Sequence, residues 1–477
     1  MLNLIKNEYA KIFHKTSTYV LIFVMILFTV MIPIGSIIIE KIESKVDFGF
    51  SYTIDSAISD AKEMEDDTEL HFLETVKNLD LDYEKYYNGE KCWQVNELYN
   101  ITYDYWTYAN SKELIKDDNI SKEDQKTYNE KYENCLEAIK NNDWKKYYGL
   151  RLDYLKEDSD FAESSYIAAK YVYDYRISHD LSPDSDDGIN DILTQFEDTY
   201  CQYLDTKEQF SSGMITQNAF ENFESTYETQ KYCLEHNISN TITDDPNAMD
   251  DLLSNGYVIT SKLYNYLDNI NLVLSIVLIL TLIVAGNIFA KEFSQGTIKF
   301  LLINPVKRSK IFWSKYITVI TYATILTFGI FILGFLASGI VTGFDGINTH
   351  YITYTDGAVK TIPAILFIGR MYLFTLIKIL VVATIAFMIS SFARSTALAI
   401  ALSLVFFYIG NIVCSLAIIF NLDFMRYTIF ACMDLKSVVY ETIMLEGITL
   451  KFALAVLFVH VVLLLLTAYD SFTKKNI

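Results

Sequence analysis

Few residues in this chain are grouped for chemistry. Its six histidines and six cysteines are spread over 477 residues. Cys92, Cys135, Cys201 and Cys233 share one stretch with His71, His179 and His236. No two of these cysteines are close enough in sequence for a metal site. They allow three disulfide pairings or four free, buried thiols, and we read them as thiols. Asp184-Ser185-Asp186-Asp187-Gly188 has the composition of a calcium loop but the wrong register. The turn glycine of such a loop is sixth from the first ligand, whereas Gly188 is fifth from Asp184, so the stretch reads as a solvated acidic loop. No nucleophile–base pair stands out, and no G-x-x-x-x-G-K-[ST] phosphate loop occurs. The sequence therefore reads as no enzyme, with no cofactor bound by this chain.

The remaining candidates are charges in apolar sequence. Lys378 lies well inside one apolar segment, Arg370 near its start, and Asp268 at the start of another. A charge at mid-bilayer costs a few kcal/mol on insertion scales and faces protein or water. One reading is a polar lining for a pathway or a substrate anion. The other, which we prefer, has Lys378 reaching toward the surface or pairing with Asp268. Asn287 and Asn411 read as hydrogen-bonders between helices.

The elements that carry these residues follow from composition. Half the chain (51%) is hydrophobic and only 21% is charged, with a net charge of −20. Residues 41–265 are strongly acidic, while the rest is apolar with sparse basic residues. Two different solvents are implied, which excludes a simple soluble enzyme. Apolar runs long enough to span a bilayer fit near 18–39, between Asp268 and Lys291, between Lys315 and Asp345, near 366–390, between Arg394 and Asp423, and between Lys451 and Asp470. The first is too long, and lacks the small-residue site, to be a cleaved signal peptide. Lys6, Lys11 and Lys15, the basic loop after the second span, Arg394, Lys474 and Lys475 fall on one side if there are six spans. The positive-inside rule then places both termini in the cytoplasm and residues 41–265 outside. That acidic stretch has helical spacing, as in Ile192, Phe196, Tyr200 and Tyr203. It predicts a mostly helical domain with a core of Tyr and Phe. The fold class expected is all-α: six transmembrane helices over 1–40 and 266–477, and a helical extracytoplasmic domain over 41–265.

The loop after the second span reads Lys291-Glu292-Phe293-Ser294-Gln295-Gly296-Thr297-Ile298-Lys299-Phe300-Leu301-Leu302, then Asn304-Pro305-Val306-Lys307-Arg308. Physically it is a basic amphipathic segment. Gly296 and Thr297 give a bend and a helix start, Glu292 sits near the N-terminus of that helix, and Pro305 ends it. Ile298, Leu301 and Leu302 form one face, suited to a bilayer surface or a groove on a partner. The pattern Glu-Phe-x-x-Gly-Thr-Ile-Lys-x-Leu-Leu, a gap, then Pro-Val-x-Arg resembles the permease subunits of type-2 ABC exporters. An N-terminal amphipathic helix (Leu2, Ile5, Ile12, Phe13) and the six spans agree with it.

The resemblance implies that Glu292, Gly296, Thr297, Ile298, Leu301, Leu302, Pro305 and Arg308 couple the chain to an ATP-binding-cassette subunit. ATP and Mg would belong to that subunit. It further implies a second permease copy or paralogue as a dimer partner, and a peptide, lipid-like or drug substrate. Membrane lipid is an expected neighbour, and nucleic acid is not. The alternative reading is a surface receptor or sensor whose helical domain binds an external ligand while the spans anchor it.

Overall fold

The structure is a computed structural model and describes residues 1–43, 53–110, 121–157, 163–185, 188–244, 256–298, 306–420, 422–440 and 448–474. Among them, six helices are long and apolar enough to cross a membrane: Thr16–Ile42, Lys262–Ser294, Arg308–Thr342, Ala364–Phe392, Thr396–Cys414 and Leu450–Lys474. Helices are forced here because hydrocarbon offers backbone N–H and C=O groups no partner. The chain is an all-α polytopic membrane protein.

It divides into two compact units. The membrane unit comprises Met1–Lys41, Asn240–Thr353 and Lys360–Ile477, and the helical domain comprises Ile42–Ser239 with Tyr354–Val359. The domain therefore ends at Ser239, earlier than the 265 expected from charge. Residues 240–265 belong to the membrane unit. Within this stretch Thr241, Ile242 and Thr243 pair with His350, Tyr351 and Ile352 of the membrane unit, about a hundred residues further on. Strand β1 (Thr241–Asp244) runs antiparallel to β2 (Tyr257–Ile259) and parallel to β3 (His350–Thr355). With β4 (Ala358–Pro363) they form a sheet in the order β2-β1-β3-β4. The turn from β3 to β4 is Asp356-Gly357, both at positive φ, as a two-residue hairpin requires.

In the membrane unit the second and fourth spans pack most extensively against each other and are more than half buried. The first, fifth and sixth keep most of their surface exposed. Small residues allow the close approaches. Gly286 of the second span lies against Ile400 of the fifth, whose Cγ1 is 3.2 Å from where a Cβ would stand. Buried hydroxyls add ties: Ser390 Oγ accepts the N–H groups of Phe289 and Ala290 at 3.0 and 3.1 Å. The N-terminal helix, Leu2–Phe13, packs on the third span, and Tyr9 donates to Thr321 Oγ1 at 2.7 Å. Leu2 is exposed, and the buried residue of this helix is Glu8.

The helical domain has a core rich in aromatic rings. Phe72, Tyr132, Tyr147 and Phe196 are fully buried, beside Leu98, Ile139 and Leu193. Tyr203 and Tyr227 stack at 4.1 Å between the helices Gly188–Ser211 and Gln217–Glu235. Tyrosine hydroxyls in such a core need partners. Tyr147 donates to Glu97 at 2.7 Å, while Tyr105 accepts from Arg151 at 2.7 Å. Cys92, Cys135, Cys201 and Cys233 are free thiols, and burial pushes Cys135 and Cys233 up to about 12. The Asp184 carboxylate accepts the Trp93 N–H at 2.7 Å, at the start of the helix Trp93–Ile101, while Asp186 and Asp187 lie outside the described residues.

Candidate functional site

The segment carrying the permease-like pattern begins at the end of the second span. The helix Asn271–Ser294 stops there because Gly296 takes φ +69°, a left-handed conformation that glycine adopts without a Cβ clash. Glu292 is thus in the last turn of the span and not at the start of a new helix. The exposed carbonyls at a helix C-terminus disfavour a carboxylate, so side chains must hold it. Lys11 Nζ is 2.6 Å from Glu292 Oε1, Lys315 Nζ is 3.6 Å from the same oxygen, and the Thr297 hydroxyl donates to Oε2 at 2.5 Å. The N–H groups that Thr297 would cap, in the segment after Ile298, lie outside the described residues.

Glu8 closes the network. Its two oxygens meet Lys11 at 3.0 Å and Lys315 at 2.9 Å. Lys315, almost wholly buried, also donates to the Ile288 carbonyl at 3.1 Å and lies over the Phe289 ring. Two carboxylates and two ammonium groups alternate, so the charges balance locally. Such a cluster is tolerable in a low dielectric only when each member is satisfied. Burial lowers Lys11, but its hydrogen bond to Glu292 and the charges of Glu8 and Glu292 outweigh that and raise it overall. The knot joins the N-terminal helix, the end of the second span, the turn after it and the start of the third span.

Ile298 is buried in the membrane unit's core, so it is not part of an exposed docking face as the amphipathic pattern suggested. Turning the chain at Gly296 folds it inward. Leu301, Leu302 and Pro305 lie outside the described residues. Arg308 begins the third span and donates to the Thr473 carbonyl at 2.9 Å, near the C-terminus of the sixth.

The intramembrane candidates separate into two places. Lys378 pairs with Asp434, not Asp268, at 2.7 Å. Asp434 comes from the segment between the fifth and sixth spans, which folds back against the fourth. Asp268 instead accepts Tyr257 at 3.0 Å and Asn271 at 2.6 Å. Lys378 and Asp268 do share a cavity of about 280 Å³, with Asp434 and Lys436. Burial lowers Lys436, with Asp268 and Asp434 acting against it. Arg370 is elsewhere, donating to the Tyr440 hydroxyl at 3.0 Å and lying over the Phe367 ring. Among the described residues Asn287 makes no hydrogen bond between helices. It lines a larger cavity beside the charge knot, of about 530 Å³. The Asn411 side chain lies outside what is described.

Sequence reasoning missed Glu8, Lys315 and Asp434 as site residues. A signal existed for the first. Glu8 is the one acidic residue in the first 39, as Glu292 is between Asp268 and Asp345. Lone carboxylates in basic, membrane-flanking sequence imply fixed partners.

Residues 252–477, just under half of the chain, match a family described as a protein of unknown function (DUF2705). An "Uncharacterized protein YhcI" of Bacillus subtilis (strain 168) is 36% identical over 200 residues. That match covers 41% of this chain and 63% of the relative, less than two thirds of the relative's length. An "Uncharacterized membrane protein YdbK" of the same organism is 28% identical over 216 residues, 45% of this chain and 81% of the relative. No solved structure matches the chain. The six apolar helices and the membrane-protein relative together make this a multi-pass membrane protein.

Proposed function

We propose that the chain is the membrane-spanning permease subunit of a bacterial ATP-binding-cassette exporter. The observation that carries the reading is Glu292. It stands at the head of the segment whose pattern resembles a coupling loop, and it ties that segment's start to Lys11 and Lys315. A pull on the loop would move the N-terminal helix and the third span together. ATP and Mg act on a separate subunit, and a second permease copy or paralogue completes the transporter. The cargo is a peptide, lipid-like molecule or drug. Both termini are cytoplasmic and the helical domain is extracytoplasmic.

Two experiments test this. Leu301→Asp with Leu302→Asp should abolish co-purification of the ATPase subunit from the native host, while Asn348→Asp with Thr349→Asp should not. Retention of the ATPase at wild-type stoichiometry by the loop variant removes the coupling assignment. A cysteine placed at Lys307 should resist a membrane-impermeant thiol reagent in intact cells, and one at Asp184 should react. The opposite pattern inverts the topology.

A further inference from the structure

The cavity beside the charge knot lies within the membrane unit, between the N-terminal helix and the first three spans. Its charges do not balance. Glu8 and Glu292 line it, but both are taken by Lys11 and Lys315. Lys15 and Lys291 line it as well. Among the described residues, neither of these two ammonium groups has a hydrogen-bond or ion-pair partner, and each is only partly exposed. Burial, and then the neighbouring Lys291 charge, lower Lys15. Two half-buried cations facing one space without a counter-ion are unfavourable, and an anion between them relieves both the repulsion and the lost hydration. The side-chain amides of Asn287 and Gln295 face the same space and make no hydrogen bond among the described residues.

The rest of the wall is apolar. Leu280, Ile283 and Val284 continue it along the second span, and Leu21 along the first. From Lys291 to Leu280 is about 16 Å of helix at 1.5 Å per residue. The neighbouring surface of the first span exposes Tyr19, Val20 and Phe23, where lipid would lie. The cavity is thus cationic at one end and greasy along its length, the complement of an amphiphile with an anionic head.

We propose that this cavity binds an anionic phospholipid, its phosphate between Lys15 and Lys291 and one acyl chain along Leu21, Leu280, Ile283 and Val284. A free phosphate shares the headgroup chemistry but leaves the apolar wall uncovered, and that wall selects the lipid. Lipid binding here requires no ATPase partner, although Glu292 and Thr297 of the proposed coupling segment also line the cavity.

The test uses the full chain purified in detergent. Native mass spectrometry and thermal melting are run with phosphatidylglycerol, phosphatidylcholine or inorganic phosphate added. Phosphatidylglycerol should stay bound and raise the melting temperature, and the other two should do neither. Lys15→Gln with Lys291→Gln should cut the preference for phosphatidylglycerol over phosphatidylcholine by about tenfold, the loss of one charge-assisted contact or more. Lys15→Arg with Lys291→Arg should retain it, as should the charge-matched control Lys6→Gln with Lys310→Gln at exposed positions. Equal retention of the two lipids, or undiminished preference in the glutamine variant, overturns the proposal. So does inorganic phosphate that stabilises the protein equally and displaces the lipid, which would make the ligand a free anion. If the glutamine variant does not fold, the wild-type lipid preference and the arginine variant still decide.

Discussion

Lys315 and Glu8 stand 307 residues apart in the chain and meet at 2.9 Å, with the lysine side chain almost completely shielded from solvent. The contact fixes the N-terminal helix to the third span, and Lys11 and Glu292 extend it to the end of the second. An apolar stripe alone would hold the helix at a membrane surface but would not fix its position along the bundle. A satisfied pair of buried charges does, because a slip of one helical turn leaves charges stranded.

Lys315→Met should therefore be costly. It leaves two carboxylates to one lysine, and removing one partner of a buried pair costs about 3–5 kcal/mol. Glu8→Gln should cost less, since Glu292 remains 3.6 Å from Lys315. The double variant Glu8→Gln with Lys315→Met should be more stable than Lys315→Met alone. Thermal unfolding of the detergent-solubilised chain measures all three. Additive losses would mean that the two residues do not interact.

The pair Lys378–Asp434 predicts a weaker effect of the same kind. The Asp434 side chain is 42% exposed, so the pair is worth about 1 kcal/mol or less. Asp434→Asn should destabilise by that amount, and adding Lys378→Met should recover most of it. Burial raises Asp434, but Lys378 more than offsets this and holds the carboxyl below its ordinary 3.8. Stability from a depressed carboxyl is present above 3.8 and lost as pH falls further. The asparagine variant should lose that part of the acid dependence in a pH series of melting temperatures.

Glu197 in the helical domain should act in the opposite direction. Burial, then the nearby Glu97 charge, raises it from 4.5 to about 7. The folded domain therefore holds this proton more tightly than the unfolded chain. Its stabilising effect is full below 4.5 and is lost as pH rises through 7. The domain should weaken by about 1–3 kcal/mol over that range. Glu197→Gln should flatten the dependence and be the more stable protein at pH 8. Hydrogen exchange of the helix Gly188–Ser211 reads the effect locally. An unchanged pH profile in the variant would remove Glu197 as its source.

The six spans were legible residue by residue because a bilayer imposes a local rule: about 20 apolar residues, helical throughout. The helical domain was legible for a related reason. Spacings such as Ile192, Phe196, Tyr200 and Tyr203 place one face inward whatever the partner helix is. One hairpin is legible in the sequence. Asp356-Gly357 follows an alternating strand, the strongest short signal for such a turn. Its sheet was not legible, since β1 and β3 pair across a hundred residues and two spans. The domain boundary likewise falls at 239 and not at 265.

The charges divide in the same way. Sequence alone established which residues were unusual for their surroundings: Glu292 in a basic loop, and Lys378 inside a span. Tertiary structure decided what each does. Glu292 is governed by Lys11 and Lys315 from other helices, and Lys378 by Asp434, 56 residues on, instead of Asp268. Ile298 faces inward because Gly296 turns the chain there. Hydrophobic periodicity is a property of one element and survives in the sequence. A charge's energy depends on what stands within a few ångströms of it in a low dielectric, and only the folded bundle brings those atoms together.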